Sequence, residues 1–339
     1  MLQRMWTIIA VVAVGLAVGS IVHVLSTGVP AANYYATVGY LGKTYVSNVS
    51  QLGEAIRKSK VAEFLVDYRP ETTPGVHYLN KSVLRGSPIE RLYNRTVAVV
   101  DYKGRIYAVV LEEGPQKPIE EIPVEGREPD LASEIAAHFA VYTLDGREVP
   151  SETRVVAFAK QEFVTEYGNY TVKVAAIGVN YEIIIKDGDP VSVAVYYLSF
   201  PVYWYTNTPL GQEWVATVVA AAYFAVDPTT GTVTDILPAG WQSKNDFFVS
   251  TCYTDDPGAA YYSQNDYFGA TQIVAVYANN WCPGSTVLVN YPWVAIDGEG
   301  NPYYPSGTPA YKSFQPQGCV CQLISWNIEL PPPIESSDS

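Results

Sequence analysis

Four cysteines stand in the last third of the chain, at Cys252, Cys282, Cys319 and Cys321. Thiols can form disulfides or hold zinc. Four of them allow three disulfide pairings. Cys319 and Cys321 alternate about Val320, so on a strand they share a face, and a bond between them would close a strained loop. Each is expected to pair with Cys252 or Cys282 instead. A four-thiolate zinc site is the alternative, but the spacing lacks C-x-x-C knuckles.

Carboxylates form the second set. Asp187-Gly-Asp189, Asp255-Asp256 and Asp297-Gly-Glu299-Gly-Asn301 offer the hard oxygens that calcium takes. Asp187, Asp189, Asp297 and Glu299 are the calcium candidates, and no other cofactor is expected. The same residues suit ordinary turns, which favour Asp and Gly. Paired carboxylates also serve a secreted peptidase or glycosidase as acid and base. Tyr pairs at 34–35, 196–197, 261–262 and 303–304, with Trp204, Trp214, Trp241, Trp281 and Trp293, suit stacking on sugars or on another subunit. Their other reading is sheet packing. H-E-x-x-H and G-x-S-x-G are both missing from the sequence, which gives no catalytic residue to name.

The setting favours contact over chemistry. The run Trp6 to Leu25, through Leu16, carries no charge and follows Arg4. About 20 such residues span a bilayer core, and the leading cation directs the rest outward. The run is expected to act as a cleaved signal or as an anchor that holds the chain to a membrane. Export implies oxidising conditions and therefore disulfides. Sequons at Asn48, Asn80, Asn94 and Asn169 agree with an extracellular or cell-surface location. Net charge is −13, and beyond Lys186 the only cations among Lys and Arg are Lys244 and Lys312. Such a surface repels phosphate backbones, so nucleic acid is excluded as a partner.

The elements that must position these residues read as mainly β, because Tyr and Val fit half-buried pleated surfaces. Ser50 to Lys60 reads as a helix and Val61 to Tyr68 as a short strand. TVAVVDYKGRIYAVVLEE, from Thr96 to Glu113, is a hairpin closed at Tyr102-Lys103-Gly104. The Pro- and Glu-rich piece 114–130 reads as a linker. Asp130 then looks like the cap of a helix carrying Leu131, Ile135, Ala136, His138 and Phe139. Long strands follow, with turns at Leu144–Arg147, Lys186–Pro190 and Asp227–Gly231. Pro201 argues for an edge or a bend in its strand.

These signals predict four regions. Residues 1–32 are the export segment, 33–129 a small α+β module, 130–330 a β-sandwich-like body with disulfides, and 331–339 a tail. The expected function is that of an exported surface protein acting by contact, as a coat, filament subunit or adhesin. Its partners would be its own copies, other surface proteins or glycans. A carboxylate-dependent hydrolase and a carbohydrate-binding module are the alternatives.

Overall fold

The computed structural model describes residues 37–115, 117–122, 131, 133–262, 268–280, 287–305 and 312–314. Trp6, Leu16, Leu25, Cys282, Cys319, Cys321 and the tail lie outside the described residues. The described residues fall within one compact unit. It is mainly β, with 61% strand against 13% helix.

In chain order the strands begin with β1 (Thr37–Val46), β2 (Val76–Leu79), β3 (Thr96–Tyr102), β4 (Arg105–Glu113), β5 (His138–Thr143) and β6 (Glu148–Val149). Four long strands follow: β7 (Ser151–Tyr167), β8 (Tyr170–Ile185), β9 (Val191–Thr208) and β10 (Gly211–Asp227). Then come β11 (Thr232–Pro238), β12 (Trp241–Lys244), β13 (Val249–Tyr262), β14 (Phe268–Asn279), β15 (Val287–Asn290), β16 (Trp293–Asp297), β17 (Pro302–Tyr303) and β18 (Lys312–Phe314). Two short helices, α1 (Leu52–Arg57) and α2 (Val61–Asp67), lie between β1 and β2.

The long strands build a central sheet in the order β1-β7-β8-β9-β10-β11, with β12 also on β10. β1 runs parallel to β7, and the other pairs are antiparallel. A front sheet, β2-β3-β4-β5-β6, covers one face of the central sheet. A back sheet, β17-β16-β14-β15-β18 with β13 on the far side of β14, covers the other together with α1 and α2.

Strands buried on both faces cannot alternate apolar with polar. β8, β9 and β10 obey this: nearly every residue from Val174 to Ile185 and from Val215 to Val226 is buried. Polar side chains register the layers against one another. On the back, Trp204 Nε1 donates to Asn290 Oδ1 at 2.7 Å. Asn180 Nδ2 donates to the Leu65 and Tyr68 carbonyls at the end of α2, both at 2.8 Å. On the front, Tyr78 Oη donates to Ala194 O at 3.1 Å and accepts from Ala194 N at 2.8 Å.

Several expectations need correction. The boundary at 129/130 does not separate two domains, because β4 pairs with β5 across it. Nor is 33–129 a module of its own. Its helices pack on the back of the central sheet, while β2, β3 and β4 pack on the front. Val61–Asp67 is helical, not a strand, with Val61 and Leu65 buried four residues apart against the sheet. Around Leu131, the Ile135 amide closes a single helical turn on the Leu131 carbonyl. His138 and Phe139 already belong to β5, where pairing with β4 overrides the local stripe.

Pro201 sits neither at an edge nor at a break, since β9 has β8 and β10 on either side. The ladder to β8 skips Phe200 and Pro201 opposite Ala175 and Ala176, so the missing donor falls in a gap. The Thr96–Glu113 hairpin forms as read. Its turn needs positive φ at two residues, Lys103 at 53° and Gly104 at 78°.

Two predictions follow from the packing. Gly178 on β8 faces α2, where an added Cβ would overlap Leu65 Cδ1 and lie 3.2 Å from Tyr304 Oη. Gly178→Ala is expected to destabilise the unit by about 1–3 kcal/mol, as overpacking does. An unchanged urea midpoint would show that α2 does not rest there.

Asp235 on β11 is fully buried, ion-paired to Lys81 at 2.8 Å, and its Oδ2 has no hydrogen-bond partner. Burial pushes its carboxyl up to about 6, although Lys81 opposes this. A raised carboxyl binds its proton more tightly when folded, so its contribution to stability falls as pH rises from about 4 to about 6. The loss is about 3 kcal/mol at about 1.4 kcal/mol per unit. Relative to wild type, Asp235→Asn is expected to gain stability by that amount between pH 4 and pH 7. Parallel pH profiles of the two proteins would contradict the assignment.

Candidate functional site

The front sheet does not cover the whole of the central sheet. Along β9 the residues facing the front are Val191, Val193, Val195, Tyr197, Ser199, Pro201, Tyr203 and Tyr205. Valine packs under the front sheet, and the change to Tyr and Ser marks where that cover ends. Beyond it the register builds rows across the strands. One row is Lys173, Tyr203, Thr217 and Ser243, from β8, β9, β10 and β12. The next is Thr171, Tyr205 and Trp214. Lys43 of β1 pairs with Glu162 of β7 beside them. Neighbouring strands lie about 4.8 Å apart, so each row is a ladder of adjacent side chains.

All of these but Thr171 line a cleft of about 680 Å³, walled by Trp241 on one side and by the turn Ile119–Glu121 on another. That volume lies within the range of small-molecule sites. The turn is held down by a buried cation. Lys160 is 4% exposed, and its Nζ donates to Glu120 O at 3.0 Å and Ile122 O at 3.3 Å. It also pairs with Glu162 at 3.3 Å, and Glu162 pairs in turn with Lys43 at 3.4 Å. Glu120, equally buried, accepts from Tyr197 Oη at 2.7 Å and from Ser199 Oγ. Burial and then Glu120 push the Tyr197 phenol well above its usual range.

The floor of the cleft differs from this rim. Lys173 is half-buried and lies 4.2 Å from the centre of the Tyr205 ring. Among the described residues no carboxylate is within ion-pair distance of it. Burial lowers its pKa, Lys43 lowers it further, and Glu162 opposes both. Tyr203 Oη is sealed from solvent and has no hydrogen-bond partner, and burial raises its phenol. Trp214 is fixed by Nε1 donating to Thr217 Oγ1 at 2.9 Å. The arrangement is an aromatic floor with one unpaired cation, bordered by hydroxyls and by salt-bridged carboxylates.

Comparison with known proteins returns no matching family model, no matching curated protein and no matching solved structure.

The residues singled out from sequence are dispersed. Asp187 accepts from Arg147 Nη2 at 3.0 Å and from Tyr107 Oη at 3.2 Å, and Arg105 lies 3.7 Å away. Arg147 holds its carboxyl below the usual range. Asp189 pairs with Lys103 at 3.6 Å. Asp297 accepts from the Glu299 and Asn301 amides and from Tyr303 Oη, all between 2.8 and 2.9 Å. Glu299 is exposed beside Asn301. Among the described residues no three His, Cys, Asp or Glu side chains are grouped to hold a metal.

Cys252 is half-buried on β13 beside Tyr253, Val274 and Val276. The other three cysteines lie outside the described residues. Asn48, Asn80, Asn94 and Asn169 are all exposed. In the third sequon, Thr96 is fully buried, its Oγ1 donating to Leu92 O at 2.9 Å.

Of the aromatics, Trp214 and Trp241 line the cleft, whereas Trp204 and Trp293 are buried in the core. Tyr196 and Tyr197 are buried too, Tyr303 and Tyr304 are half-buried, and Tyr34, Tyr35 and Trp281 lie outside the described residues, as do the side chains of Tyr261 and Tyr262. Lys43, Lys160, Lys173, Glu120, Glu162, Tyr203 and Tyr205 were missed. The signal available was the change from Val to Tyr along alternate positions of β9.

Replacing Lys160 by Met would leave Glu162 with one partner and, among the described residues, two buried carbonyls with none. Lys160→Met is expected to cost about 3–5 kcal/mol, as breaking a buried pair does. A loss below about 1 kcal/mol in denaturant unfolding, the scale of an exposed ion pair, would show that Lys160 does not anchor the turn.

Proposed function

We propose that this chain is an exported cell-surface protein that works by contact, and that the cleft on the central sheet is its contact site. The observation that carries this is the floor of Lys173, Tyr203, Tyr205 and Trp214, set on strands whose other face is buried. A rigid aromatic floor binds without the ordering cost of a loop. The carboxylates around it argue against hydrolysis. Glu162 holds two lysines, and Glu120 holds two hydroxyls. Glu121 is the one cleft carboxylate without such a partner among the described residues, whereas a glycosidase works with two.

Export through the Trp6–Leu25 run, occupancy of the exposed sequons and disulfides among Cys252, Cys282, Cys319 and Cys321 belong to the same proposal. So does attachment to a membrane wherever the run is retained. Self-association as a coat or filament is the second reading. It is favoured by β1, which pairs only with β7 among the described residues and leaves its outer edge open to a strand from another copy. Tyr45 on that strand is 78% exposed.

Binding of the full chain to an array of soluble glycans tests the cleft. Saturable binding that disappears in the Tyr205→Ala/Trp214→Ala double variant is expected. Cleavage of those glycans by the wild type, abolished by Glu121→Gln, would replace contact with catalysis.

A further inference from the structure

The cleft's chemistry narrows its ligand. We infer that it binds a saccharide carrying a carboxylate, with Lys173, seated on the Tyr205 ring, receiving the carboxylate and the indoles of Trp214 and Trp241 receiving a sugar face. This rests on the reading of the cleft as the contact site.

The cation comes first. Of the three lysines lining the cleft, Lys43 and Lys160 are bound to Glu162. Lys173 is half-buried and lacks a carboxylate among the described residues; the Tyr205 ring lies beneath it. A partly desolvated ammonium gains more from an anion than an exposed one, because it has already lost part of its hydration. The remaining lining is not that of a bare anion site. Tyr203 and Tyr205 stand in adjacent rows on β9, and Trp214 lies directly across from Tyr205 on β10. Trp241 adds a second indole at the wall. Ring faces of this kind take the apolar C–H face of a pyranose.

Sugar hydroxyls need both donors and acceptors, and the rim offers both. Ser243 and Thr217 lie beside the floor, with Glu121 and the paired Glu162 at the edge. A neutral sugar would leave Lys173 unanswered. A free carboxylate or an acidic peptide would leave the rings with nothing flat to cover. A uronate unit meets both demands in one residue.

The test is calorimetric titration of the full chain with a galacturonate trimer, maltotriose and a glutamate tripeptide. The acidic sugar is expected to bind best. Lys173→Gln should weaken it about ten- to a hundredfold, the loss of one charge-assisted hydrogen bond, and should change maltotriose binding less than about twofold. Lys173→Arg should keep the acidic preference, which separates charge from any effect on folding. Equal affinity for the two sugars, or no effect of Lys173→Gln, would overturn the carboxylate assignment and leave the contact reading in place. Tripeptide binding as tight as that of the acidic sugar would overturn the saccharide. Failure of all three probes to bind would overturn both this inference and the cleft as the contact site.

Discussion

Burial of both faces of one long sheet is the constraint on which the structure rests. Strands of 16 to 18 residues expose far more apolar surface than one covering layer hides. At about 25 cal/mol per Å² of apolar surface, leaving either face wet would outweigh the net stability of an ordinary domain. The chain therefore supplies two covers from different stretches. The back sheet comes from the C-terminal third and is joined by α1 and α2, while the front sheet comes from residues 76–149. The parallel pairing of β1 with β7 is a consequence, because two helices and the whole front sheet are inserted between them. Trp204–Asn290, Asn180–Leu65 and Tyr78–Ala194 then fix how the layers sit, since a slip of either cover would orphan a buried donor.

The cleft follows from a mismatch in length. The front sheet is built from strands of two to nine residues, and the central strands run past it. Past that point the front face changes from Val to Tyr, Lys, Thr and Trp, while the back face stays apolar through Trp204 and Val202. The cleft floor is thus a wet surface with a dry underside. Lys160 marks the border, clamping the Ile119–Glu121 turn with a buried ammonium. Around it Glu162 holds two lysines and Glu120 two hydroxyls, and Lys173 over the Tyr205 ring is the site's unpaired cation.

Much of the β content was legible because local signals and tertiary demands agreed. Lys103-Gly104 accepts the turn that its strands require, and the Asp227–Gly231 turn closes β10 on β11. The reading failed where distant partners decided the outcome. Val61–Asp67 has strand-like composition, but a strand would press Glu63 against the sheet together with Val61 and Leu65, whereas the helix buries Val61 and Leu65 on β7 and β8 and leaves Glu63 exposed. His138 and Phe139 fit a helical stripe until β4 claims them as its neighbours. Pro and Glu in 114–130 imitate a domain linker, although the strands on either side share one sheet. The cleft was the least legible part. Lys43, Lys160 and Lys173 are 117 and 13 positions apart in turn, and only the register of β1, β7 and β8 brings them together. Asp187–Asp189 and Asp297–Asn301 stood out in the sequence because they are turns, whereas Asp255 and Asp256 lie within β13.

The central claim is that the uncovered part of the sheet is as rigid as the covered part. Amide hydrogen exchange along β9 tests it most directly. The account predicts that Val202 to Tyr205 exchange only through global unfolding, with the same opening free energy as Val193 to Val195 under the front sheet. Exchange of the former group through a separate, lower-energy local opening would mean that the floor frays, and that the cleft is not a preformed site.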